Sequence, residues 1–127
     1  MKTITLITNS DILNLEDTIK LSKKLSRIGL DRIQIREKNI PINKLRNFIK
    51  KMKDSTDETC KLILNGNFDL AVEYNLNGVH FPEKYPITKK FSTKNLIIGR
   101  SIHKNTNLTI DHNNFDYFHL GPIFTTL

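Results

Sequence analysis

The sequence predicts a parallel α/β fold, and three observations carry the prediction. Short runs rich in β-branched and apolar residues alternate with longer amphipathic runs. The order is strand, helix, strand, helix, the pattern of right-handed βαβ crossovers. Polar or glycine-containing segments follow the short runs, where a parallel strand hands over to its loop.

Each element has its own signal. Thr3–Thr8 reads as the first strand from its β-branched content. Leu15–Ile28 reads as a helix. Leu15, Ile19, Leu21, Leu25 and Ile28 recur near a 3.6-residue period, Lys20, Lys23 and Lys24 form the wet face, and Gly29 serves as the C-cap. Asp31–Arg36 is the second strand. Pro41 opens a second helix, at the position that tolerates proline, and the helix runs through Leu45, Phe48, Ile49 and Met52. Lys61–Leu64 is the third strand and Phe68–Tyr74 a short helix. Gly78–Phe81, Leu96–Ile98 and Tyr117–Leu120 are the fourth, fifth and sixth strands, with a short helix expected within Thr106–His112. No repeat, linker or low-complexity tract divides the chain, so residues 1–127 are expected to form one domain. A complete (β/α)₈ barrel needs at least about 200 residues, so six strands imply an open doubly wound sheet or an incomplete barrel.

Composition narrows the functional classes. No apolar run approaches the roughly 18 residues of a membrane helix, and the start is too short and too interrupted by Thr for a signal peptide. The single cysteine, Cys60, reads as core packing and cannot form an internal disulfide, so a cytoplasmic protein is expected. The net charge of +7 comes from 20 Lys+Arg against 13 Asp+Glu. Two readings compete: a surface that attracts phosphates or nucleic acid, and the favoured one, background composition in a chain rich in Lys, Asn and Ile together. No basic stretch is interleaved with stacking aromatics, and neither nucleic acid nor membrane is an expected partner. No zinc-type ligand spacing, glycine-rich nucleotide fingerprint or P-loop is present.

The strand ends carry the candidate chemistry. In Ile33-Gln34-Ile35-Arg36-Glu37-Lys38 a two-residue period puts Gln34, Arg36 and Lys38 on one face, a donor set suited to an anionic ligand. The third strand ends Leu64-Asn65-Gly66 and the fourth Val79-His80-Phe81-Pro82-Glu83. The fifth ends Gly99-Arg100-Ser101-Ile102-His103, which sets an imidazole, the side chain best suited to proton transfer near neutral pH, beside Arg100 and Ser101. His119 is expected inside the sixth strand, and His112 in an exposed turn.

Taken in order, these segments resemble the thiamine phosphate synthase/TenI family. The matches are Ile4–Thr8 with Asn9, the Gln34-to-Lys38 segment, Leu62–Asn65 with Asp69-Leu70-Ala71, Asn77–His80, Ile97–His103, and Asp116–Thr126 with Gly121-Pro122 inside it. The resemblance implies a TIM barrel, here with about six of eight strands, and a role in thiamin biosynthesis. In the synthase branch, hydroxymethylpyrimidine pyrophosphate condenses with thiazole phosphate with the help of Mg²⁺. Gln34, Arg36, Lys38 and Asn65 would then hold the pyrophosphate and pyrimidine. In the TenI branch a thiazole carboxylate phosphate tautomer is aromatised by proton transfer, with His103 as the catalytic residue. Arg100, Ser101 and Gly121 complete the substrate-binding set.

Two departures decide the emphasis. Gly66 and Tyr85 stand where the synthase pattern carries Mg²⁺-binding Asp residues, and Glu83 is nearby but out of register. The expectation therefore leans to the tautomerase with no metal or other cofactor, Mg²⁺ entering only with the synthase alternative. The sequence also stops at Leu127, before the family's lysine, phosphate-holding loops and closing strands. A fragment, a truncated product, a homo-oligomer or half of a two-chain assembly is expected, as is the further alternative of a non-catalytic remnant that binds a ligand or partner.

Overall fold

A computed structural model describes residues 2–83, 95–103 and 115–120. The described elements are β1 (Thr5–Ile7), α1 (Leu15–Arg27), β2 (Arg32–Ile35), α2 (Ile42–Ser55), β3 (Lys61–Asn65), α3 (Phe68–Glu73), β4 (Gly78–Phe81), β5 (Ile97–Ile102) and β6 (Tyr117–Leu120). The helix expected within Thr106–His112 lies outside the described residues. All five neighbouring strand pairs are parallel, in the order β1-β2-β3-β4-β5-β6. The curled sheet is an incomplete TIM-barrel-type α/β fold. No described helix is long and apolar enough to cross a membrane.

The helix ends follow local chemistry. Asn14 caps α1, its side-chain oxygen accepting from the Asp17 N–H at 2.8 Å. At the other end the Leu30 N–H donates to the Leu25 carbonyl at 3.0 Å, and Gly29 between them takes φ +109°. That is the Schellman closure, with Gly29 one residue past the cap. Pro41 is the N-cap of α2, with extended backbone, rather than its first helical residue, and its carbonyl accepts from the Leu45 N–H.

Two expectations are corrected. The docking face of α1 joins the buried Thr18, Ser22 and Ser26 to the expected Leu15 and Ile19, whereas Ile28 is largely exposed and Leu21 lies at the surface. Small hydroxyl residues let the helix approach its neighbours closely, and Thr18 satisfies its own hydroxyl on the Asn14 carbonyl. β5 is twice the expected length because Gly99 does not end it: Gly99 pairs with His80 on one side and Tyr117 on the other.

The core lies on the helix side of the sheet. Ile33, Ile35, Leu62, Leu64, Val79 and Phe81 present alternate positions of β2, β3 and β4 to Phe48, Ile49 and Met52 of α2 and to Leu70 and Ala71 of α3. Phe48 sits at the centre of this layer, 2% exposed. Phe48→Ala should lower the unfolding free energy by about 3–5 kcal/mol in urea titration. A loss below about 1 kcal/mol would place the weight of the core elsewhere.

Candidate functional site on the concave face

The residues of opposite parity form the other face. Register aligns Ile7, Gln34, Ile63, Gly78 and Ile97 in one row, and Asn65, His80, Gly99 and Tyr117 in the next. Beyond them, Ser101 lies opposite His119. Because every strand is parallel, the loops that follow them share one rim.

At that rim Glu37 ties β1 to β2. Its carboxylate accepts from the Thr8 hydroxyl at 2.6 Å and the Ser10 N–H at 3.0 Å, while the Thr8 hydroxyl accepts from the Arg36 N–H at 3.0 Å. The cleft beside this clamp is lined by Asn9, Ser10, Asp11, Arg36, Glu37, Lys38 and Asn39. β2 ends at Ile35, so the two-residue alternation stops there. Arg36, Glu37 and Lys38 then line one cleft together instead of dividing between faces, and Lys38 is exposed.

Gln34 is deeper, 1% exposed, and its side-chain oxygen accepts from the Asn65 amide at 2.9 Å. Its own NH₂ has no partner among the described residues, which leaves a buried donor for a ligand acceptor. Asn65 is the last residue of β3, and Gly66 after it takes φ +82°.

His103 follows β5 directly, half-exposed, with Nε2 3.5 Å from Glu83 Oε2 in the loop after β4. Ser101 lies two residues back on the same parity. Arg100 falls on the other parity and does not join them. It is in register with Phe81 and Phe118, 8% exposed, donates to the Glu83 carbonyl at 2.9 Å and lies over the Phe115 ring. Gly121 is outside the described residues. Gln34, Arg36, Lys38, Asn65, Ser101 and His103 are thus on or beside the concave rim, and Arg100 faces the helix side.

Sequence reasoning missed the cluster at the floor of this face. His80, 1% exposed, holds the Tyr117 hydroxyl at Nδ1 (2.9 Å) and the Ser101 hydroxyl at Nε2 (2.7 Å). The His119 ring lies 4.7 Å from it, and Arg32 stacks over Tyr117 at 5.1 Å. Gly99 makes the arrangement possible, because a Cβ there would collide with the Tyr117 ring. The signal was present in the alternation: Gly78 and His80, Gly99 and Ser101, Tyr117 and His119 share one parity once β5 is extended.

Burial, then the positive charges of a protonated His119 and of Arg36, pushes the His80 pKa down to about 4. Burial pushes Tyr117 up to about 12 and lowers His119. His80, Tyr117 and His119 are therefore neutral donors and acceptors near pH 7, with the Arg32 guanidinium beside them. Among the described residues no group of three or more His, Cys, Asp or Glu is placed to hold a metal ion.

Residues 4–127 match the family described as thiamine monophosphate synthase. A thiamine-phosphate synthase of Clostridium tetani is 30% identical over 129 aligned positions, covering 98% of this chain and 62% of that protein. One from Dictyoglomus turgidum is 34% identical over 111 positions, covering 84% and 50%. The chain thus spans between half and two thirds of the length of these relatives. Among solved structures, a thiamine phosphate pyrophosphorylase from Pyrococcus furiosus superposes with a TM-score of 0.77 at 22% identity, over 96% of this chain and 61% of that one.

The buried imidazole makes stability depend on pH. Folded His80 stays neutral down to about pH 4, whereas an unfolded histidine takes a proton near 6.5. Its contribution is complete above pH 6.5 and is lost as pH falls from 6.5 towards 4, by at most about 3 kcal/mol. Urea midpoints should therefore fall between pH 7 and pH 4.5 in the wild type, and fall less in His80→Gln. Equal slopes for the two proteins would contradict the assignment.

Proposed function

The chain belongs to the thiamine monophosphate synthase family, and from that membership we propose that it acts in thiamin biosynthesis on a phosphorylated thiazole, by proton transfer at His103. The observation that carries the reading is the pairing of His103 with Glu83 on the same rim as Arg36 and Lys38. An imidazole can take a proton from a ring carbon and return it elsewhere on the same substrate. A carboxylate beside it orients the ring and offsets the charge acquired in between. Arg36 and Lys38 suit the phosphate, Arg as a fork of donors and Lys as a point charge. The buried Gln34 donor and the Asn65 amide suit the polar edge of a heterocycle.

Mg²⁺ is the cation attached to the condensation in this family. It takes oxygen ligands, usually including one or two carboxylates. The position after Asn65 offers none: Gly66 has no side chain, and its left-handed backbone strains any residue that would bring one. Glu83 lies against His103 instead. The described residues do not fit the cation, and no step is routed through it.

The relatives' names favour a second reading, condensation of hydroxymethylpyrimidine pyrophosphate with thiazole phosphate. Gln34, Arg36, Lys38 and Asn65 would then hold the pyrophosphate and pyrimidine.

Both activities can be assayed on the chain, alone and with a fragment carrying the relatives' remaining strands. Tautomerase turnover is expected, and His103→Ala should reduce it by about 10²–10⁴ with the circular dichroism spectrum unchanged. Turnover unaffected by His103→Ala removes the histidine from the reaction. Mg²⁺-dependent release of pyrophosphate above the no-enzyme rate establishes the second reading instead.

A further inference from the structure

We propose that His80 is a positioning residue for ligand binding: bridging Tyr117 and Ser101, it holds the Ser101 oxygen as an acceptor and so turns the Ser101 hydroxyl hydrogen towards the ligand. The inference rests on the anionic-ligand reading above and adds a role for a side chain that lies beneath the rim.

The geometry leaves two arrangements. A neutral imidazole has one N–H and one bare nitrogen, and both ring nitrogens of His80 are within hydrogen-bond distance of a hydroxyl, at 2.9 Å for Tyr117 and 2.7 Å for Ser101. In one arrangement Tyr117 donates to Nδ1 and Nε2–H donates to Ser101, whose own hydrogen is then available. In the other Ser101 donates to Nε2, and Nδ1–H donates to Tyr117. The phenol is much the stronger acid of the two hydroxyls and therefore the better donor to the bare nitrogen, which selects the first arrangement. Burial keeps the pair in that state: His80 stays neutral and Tyr117 stays protonated across the physiological range. Ser101 is only half-buried, on the concave parity and two residues before His103. Ser101 is thus a donor on the concave face, whose rim also carries the cleft of Arg36 and Lys38.

Nitrogen-15 shifts of His80 in the whole chain report which ring nitrogen carries the hydrogen. Protonated Nε2 with bare Nδ1 is expected in the wild type, and the reverse in Tyr117→Phe. Titration with thiazole phosphate should then show binding about tenfold weaker in Tyr117→Phe and in Ser101→Ala. The double variant should bind no more weakly than Ser101→Ala alone. A wild-type His80 protonated at Nδ1 overturns the proposal, and this holds even if Tyr117→Phe does not fold. Unchanged binding in Tyr117→Phe, or additive losses in the double variant, also overturn it. If the wild type does not bind thiazole phosphate, the proposed function fails, and the same variants are titrated with inorganic phosphate. The same coupled loss then upholds the role of His80, whereas equal behaviour of wild type and Tyr117→Phe, binding or not, refutes it.

Discussion

Everything in this fold depends on parity in a parallel register. A strand residue faces one side or the other, and its hydrogen-bonded neighbours face the same way. Ile35, Leu64, Val79 and Ile98 are aligned across four strands, so the helices meet an unbroken apolar layer. The same register delivers Asn65, His80 and Tyr117 to the opposite face in a single row. A slip of one residue anywhere would exchange the two sets, burying amides and imidazoles among leucines. The core therefore fixes the site as firmly as it fixes the fold.

Most of the architecture was legible in sequence because it rests on local signals. β-branched runs, amphipathic periods and the cap residue Gly29 place the described strands other than β5, and the starts of the helices, within a residue or two. The errors came where tertiary pairing overrode a local rule. The fifth strand is expected to stop at Ile98, yet pairing with its two neighbours carries it through Gly99 to Ile102. Leu21 and Ile28 read as core, yet α1 docks through Thr18, Ser22 and Ser26 together with Leu15 and Ile19.

The site divides in the same way. Gln34, Arg36, Lys38, Asn65, Ser101 and His103 could be placed from strand ends alone. Arg100 could not, because its direction depends on a parity that the shortened fifth strand left undefined. His80 and Tyr117 could not either, since what matters about them is their contact across 37 positions of sequence. The imidazoles and phenol of the floor are neutral with Arg32 stacked over Tyr117, and Arg36, Glu37 and Lys38 stand at the rim. That division suits a ligand with a charged group and a heterocycle, since a buried unpaired charge costs far more than one left near water.

The close approach at Gly99 has an evolutionary consequence. The Tyr117 ring occupies the space where any other residue at position 99 would set its first carbon. The two positions therefore cannot drift independently. A larger residue at 99 requires the ring at 117 to be lost or swung aside, and with it the hydroxyl contact that His80 holds. The constraint runs one way: glycine at 99 tolerates any residue at 117, but the ring in its present place tolerates only glycine at 99.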